Sequence, residues 1–162
     1  MTITVADLAG LAGTWSGVGH AEYPTISPLD YREELVLSSN GRDPVIHFEQ
    51  RTWAKSGDAR NGEPLFWESG FIIDRGNGIF ELIIAQKGGR MEILKGEAEP
   101  GENGSIVLQL KSMTILNDPR MIQSERHLVW SGESLSYELL MSTTTNTRPA
   151  RHLAARLLRT SM

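Results

Sequence analysis

At 162 residues with no cysteine and a net charge of −4, the chain is long enough for one domain with its own core, and it excludes a disulfide framework, thiolate metal ligation and a thiol nucleophile. Sixteen Lys and Arg against 20 Asp and Glu, with no basic run, argue against nucleic acid or an anionic membrane as the main partner. The opening MTITVADLAGLAG has no basic leader and only short apolar runs, so the expectation is a single cytoplasmic domain over residues 1–162, without a membrane span.

In chain order, a short turn around Ala6–Leu11 precedes GTWSGVGHAEYPTI, Gly13 to Ile26. Glycines inside a strand weaken it, because they add backbone entropy and give no side chain to pack. Their clustering at Gly13, Gly17 and Gly19 around Trp15 therefore signals a close approach by another group. Beyond them, two-residue alternation groups Glu33, Leu35 and Leu37 against Glu34, Val36 and Ser38, and Ile46 and Phe48 against His47, Glu49 and Arg51. Strand-like segments follow at Leu65–Ile73, Ile79–Ala85, Met91–Gly96, Ile106–Met113, Ile122–Trp130 and Leu135–Thr143. Four Asn-Gly pairs, at Asn40, Asn61, Asn77 and Asn103, suit the positive φ of tight turns. Gly88-Gly89 reads as one more hairpin.

These signals predict an all-β chain, an antiparallel up-and-down barrel of about ten strands, wide enough to enclose a ligand cavity. The stripe Leu135, Tyr137, Leu139 and Met141, opposed by Ser136 and Glu138, predicts a largely apolar lumen. Glu33 and Glu34 point to opposite faces and cannot converge on one substrate. There is no Gly-x-Ser-x-Gly elbow and no phosphate-cradling loop.

The stretch GTWSGVG followed by YPTI and YREE, then LFWESGFI, FELIIAQKGGRMEILKGE, LSYELLMSTTT and the final HLAARLLR, resembles the nitrobindin family. These are heme-binding barrels of the fatty-acid-binding and calycin type, marked by Gly-x-Trp-x-Gly-x-Gly, here Gly13, Trp15, Gly17 and Gly19. The resemblance implies ferric heme b held by a proximal histidine, reversible binding of nitric oxide, isomerisation of peroxynitrite to nitrate, and a homodimer.

Of the four histidines, His47 and His127 read as outer-face residues. His20, in the glycine-rich corner, could approach the pocket mouth. His152, after Met141-Ser-Thr-Thr, matches the family's heme ligand, whereas the residues alone leave RHLAARLLRT open as an amphipathic helix. The same alignment assigns Tyr23, Thr25, Ile26, Leu65, Phe66 and Met141 to the heme pocket, with Arg120 as a propionate partner. Phe66 stands where many relatives carry a distal histidine, and Gln86 stands at the next distal position. With His152 inward on a strand, Leu153, Ala155 and Leu157 are expected outward, as an apolar interface stripe. Two other readings fit the same barrel: a heme-free carrier of a fatty acid or other apolar ligand, with Tyr137 and Arg126 or Arg156 gripping an acid, and a nitric oxide sensor or store without turnover.

Overall fold

Each alternating segment forms a strand in the computed structural model, which describes all 162 residues. The strands are β1 (Gly13–Tyr23), β2 (Ile26–Ser38), β3 (Val45–Lys55), β4 (Pro64–Gly76), β5 (Ile79–Gln86), β6 (Met91–Pro100), β7 (Ile106–Leu116), β8 (Met121–Ser131), β9 (Ser134–Thr143) and β10 (Asn146–Ser161). Consecutive strands pair antiparallel and β10 returns to β1, which closes the expected barrel and leaves no free sheet edge. All four Asn-Gly pairs lie in connections between strands. The tightest is Asn77-Gly78 between β4 and β5, where both residues take positive φ, 57° and 76°, as the turn type requires.

One end of the barrel is sealed. A five-residue helix, α1 (Val5–Ala9), carries Leu8 into the core beside Ile3 and the fully buried Trp15. Thr4 and Asp7 close a capping box at its start, and Asp74 accepts a hydrogen bond from the Val5 amide at 2.8 Å. The Trp15 indole donates to the Leu11 carbonyl at 3.0 Å, so its one polar atom is satisfied inside an apolar plug. Phe80, Leu94, Leu108, Leu135 and Leu157, each at 0 % exposure, fill the same end.

The glycine motif serves this packing. A Cβ on Gly17 would strike the Arg156 carbonyl of β10, and one on Gly19 would strike the Tyr31 ring. The close approach signalled by the sequence is thus that of β10 and of an inward tyrosine.

Two expectations fail here. Leu153 and Leu157 point inward and are buried, with Ala155 packed against the core between them. The cause is a bulge: the β10–β9 register pairs Arg151 with Leu140 and then Leu153 with Leu139, so His152 is an extra residue that changes the strand's phase. C-terminal to it, β10 presents Ala154, Arg156 and Leu158 outward instead. The lumen is not a wide apolar cavity either. Its lower half is filled by large aliphatic and aromatic side chains, a remaining void of about 50 Å³ lies at mid-height, and polar side chains occupy the level above.

Candidate functional site

The open end is built where the β1–β2 turn, the start of β10 and the β5–β6 and β7–β8 connections meet. His152 lines two adjoining cavities there. The larger, about 450 Å³, includes Tyr23, Thr25, Ile26, Phe66, Met141 and Arg120 in its wall. The smaller, about 180 Å³, is walled by Leu29, Tyr31, Leu65, Phe66 and Leu153 among others. Consecutive residues of a regular strand cannot face one cavity. The bulge allows His152 and Leu153 to do so.

The imidazole is held in one tautomer. His152 Nδ1 lies 3.3 Å from the Glu22 carbonyl oxygen, which can only accept, so Nδ1 carries the proton and Nε2 keeps its lone pair. Burial lowers the His152 pKa, the Glu22 hydrogen bond opposes this, and the nearby Arg90 charge lowers it further. The ring is therefore neutral at pH 7. Tyr23 packs edge-on against it, centroids 5.7 Å apart, and the Tyr23 hydroxyl is itself fixed to the Met141 carbonyl at 3.1 Å.

Below and beside the mouth runs a buried polar layer. Glu68 takes both terminal nitrogens of Arg126, the NH2 arm at 3.0 Å. Gln86 donates to Glu68 and to Glu92, each at 3.2 Å, and the Ser124 hydroxyl also donates to Glu92. Arg90 lies 3.3 Å from both Glu92 and Asp118, and Asp118 holds Arg120 at 3.0 Å. Across the lumen, Tyr137 and Gln50 donate to Glu33, and the Tyr31 and Tyr137 hydroxyls are 2.8 Å apart.

A family model described as a THAP4-like, heme-binding β-barrel domain matches residues 4–159. The chain belongs to that family. Among its relatives, "Peroxynitrite isomerase Rv2717c" of Arabidopsis thaliana is 39% identical over 142 residues, 88% of this chain and 81% of that protein. "Peroxynitrite isomerase 2" of Mycobacterium marinum is 35% identical over 157 residues, 95% of this chain and 93% of the relative. The crystal structure of Rv2717c from M. tuberculosis superposes with a TM-score of 0.85 at 30% identity, covering 98% of this chain and 99% of that one.

The residues present fit the family's heme. A neutral imidazole with a free Nε2 suits iron, apolar side chains from Ile26, Leu29, Leu65, Phe66 and Met141 suit a macrocycle, and Arg90 and Arg120 offer cations for carboxylates at the rim. Seven of the sequence-assigned residues, Tyr23, Thr25, Ile26, Phe66, Arg120, Met141 and His152, share the larger cavity, and Leu65 lines the smaller.

Other assignments need correction. His20 faces the outer wall, 2.7 Å from Asp30 and 3.4 Å from Glu22, so it cannot serve the mouth. His47 and His127 are indeed on the outside, against Ser69 and Glu125. Arg120 reaches the cavity but is 81% exposed and tied to Asp118. The better-held cation, Arg90, escaped sequence reading because it follows the Gly88-Gly89 turn and looks like surface. Arg126 is inside the lumen and Arg156 outside, and Glu68 already occupies Arg126.

Proposed function

We propose that this protein holds ferric heme b at the barrel mouth through His152 Nε2 and isomerises peroxynitrite to nitrate. The observation that carries the reading is the bulged, tautomer-locked His152 at the junction of two cavities in a heme-binding family. The relatives named peroxynitrite isomerase support the reaction.

When bound, ferric heme supplies an open coordination position with Lewis acidity toward the peroxynitrite anion. The protein's part is positional and electrostatic. Glu22 keeps the proton on Nδ1, and Tyr23 limits rotation of the ring. Burial and the Arg90 charge keep the imidazole unprotonated and available. Arg90, Arg120 and Lys87 line the rim, where Asp118 is the one acid in the cavity wall and Glu92 meets Arg90 from the buried layer below, so the entrance favours small anions on a chain that is acidic as a whole. Phe66 contributes shape and no hydrogen-bond donor. Isomerisation conserves every atom of peroxynitrite, so no side chain needs to act as a nucleophile.

A fatty-acid carrier would need a free guanidinium in the lumen, and the Glu68–Arg126 pair removes that support. Binding of nitric oxide at the same iron, and a homodimer, complete the proposal. For the dimer the support shifts from β10 to the outer wall, where Phe71, Ile83 and Ile93 stand in register on β4, β5 and β6, and equilibrium sedimentation tests it.

Hemin titration of the apoprotein should give a sharp Soret band at one equivalent. His152→Ala should lose that band while keeping β-rich circular dichroism. Holo-protein should speed peroxynitrite decay and raise the nitrate yield over apoprotein. Equal decay rates would leave a nitric oxide sensor or store as the surviving reading.

A further inference from the structure

The polar layer contains one acid more than it has cations. Glu68 is matched by Arg126, Glu92 by Arg90 and Asp118 by Arg120. Glu33, 3% exposed, has no cation bonded to it. Its partners are the Tyr137 hydroxyl from β9 and the Gln50 amide from β3, and its charged neighbours are Glu68 on β4 and Arg126 on β8. An unpaired carboxylate in such a place is costly, and uptake of a proton relieves the cost.

Glu33 is also connected. Tyr137, which donates to it, shares a 2.8 Å hydrogen bond with Tyr31. Tyr31 walls the smaller cavity together with Phe66 and His152. A line of exchangeable protons thus runs from the cavity beside His152 through two phenols to a buried carboxyl.

We propose that Tyr31, Tyr137 and Glu33 form a proton path that takes the proton from a weak-acid ligand arriving at the heme cavity in its neutral form. The function of the path rests on the heme reading above. In the forward direction the acid gives its proton to Tyr31 Oη, Tyr31 passes its own to Tyr137 Oη, and Tyr137 passes its own to the Glu33 carboxylate. Both tyrosines end neutral, the ligand is left as the anion that binds ferric iron, and no oxidant or further reactant is consumed. Peroxynitrous acid belongs to this ligand class. Burial raises the Glu33 pKa to about 7, with the Tyr137 and Gln50 hydrogen bonds opposing the rise, Glu68 adding to it and Arg126 subtracting. At neutral pH the carboxyl is therefore present in both the accepting and the donating state.

Two measurements test the path. In the apoprotein at pH 6, infrared spectroscopy should show a protonated-carboxyl band that Glu33→Gln removes. Its absence from the wild type would overturn the proposal without touching the heme reading. In ferric holo-protein at pH 6, Glu33→Gln and Tyr137→Phe should slow association of hydrogen cyanide by at least about tenfold, a modest share of what positioned proton transfer provides. Association of nitric oxide, which loses no proton, should stay within about twofold, since no proton transfer is involved. Unchanged cyanide rates, or equal slowing of both ligands, would overturn the path while a normal Soret band upheld the heme site. A wild type that forms no Soret band would sink the heme reading, and the path's function with it.

Discussion

The two ends of this barrel are made by the same strands under opposite physical rules. Along β2, Leu37 and Leu35 belong to the sealed end and Glu33 and Tyr31 to the open one. Along β4 the change runs from Ile72 to Glu68, along β6 from Leu94 to Glu92, and along β8 from Trp130 and Leu128 to Arg126 and Ser124. All of these side chains point inward, so the change from apolar to polar happens at one height of the lumen. Below it stability comes from removing apolar surface from water. Above it, Glu68, Glu92 and Asp118 are kept out of water by cation partners, Glu33 has only the neutral donors Tyr137 and Gln50, and such pairs are expensive to leave half-made. A rigid floor and a polar, partly hollow mouth therefore divide the work of folding and binding between them.

The largest effects should come from breaking each end by its own rule. Trp15→Ala removes the plug of the sealed end and should destabilise the apoprotein by about 3–5 kcal/mol. Arg126→Ala should cost a similar amount, about 3–5 kcal/mol, because Glu68 is left buried and unpaired. The two differ in how they can be repaired. Replacing both partners, Glu68→Leu with Arg126→Met, should recover most of the loss, whereas a second truncation near Trp15 should only deepen it. Urea unfolding of the four variants checks this. If the double replacement is no better than Arg126→Ala alone, the open end does not depend on charge pairing in the way its geometry indicates.

A smaller effect should appear as a pH dependence confined to the mouth. The Glu33 pKa is raised from 4.5 to about 7 in the fold, so between those values the folded state binds the proton that the unfolded chain releases. Stability from this group is greatest below pH 4.5 and declines as pH rises through 7. The shift corresponds to about 3 kcal/mol over that window. Glu33→Gln should flatten the profile, so that the variant gains on the wild type as pH increases from 5 to 8. A parallel pair of profiles would show that Glu33 is ionised in the fold throughout.

Much of the sealed end was legible in the sequence, because apolar residues at alternate positions announce their own burial. The inward stripe of β9 and the central part of most strands follow from that rule, although β6 runs on from Gly96 to Pro100 and β7 from Met113 to Leu116. The polar layer was only half legible. The two-residue step that groups Ile46 with Phe48 continues to Gln50 and Thr52, and the one that holds Leu37 and Leu35 continues to Glu33. Pursued past the last apolar residue, the phase would have placed these polar groups inside. The β10 assignment failed for a different reason. A bulge inserts one residue, and nothing in RHLAARLLRT marks where the phase changes. His152 was found through family resemblance, and its cavity-facing position depends on that unmarked residue.

The smallest effect concerns how the rim tunes His152. Proton and iron compete for Nε2, and burial together with the Arg90 charge holds the imidazole pKa below its ordinary value. Hemin affinity should therefore persist below pH 6.5, the reference for free histidine, and fall only in more acidic solution. Removing a cation near the ring makes its protonation easier. Arg90→Ala should shift the loss of affinity to higher pH, the direction expected when a neighbouring positive charge is removed. Arg120→Ala should leave the midpoint unchanged, because Arg120 is exposed to solvent and engaged by Asp118. Soret titrations of the three proteins from pH 8 to pH 4 decide the matter. Equal midpoints for all three would mean that burial alone sets the histidine, and that the rim cations act on the incoming anion and not on the ligand to iron.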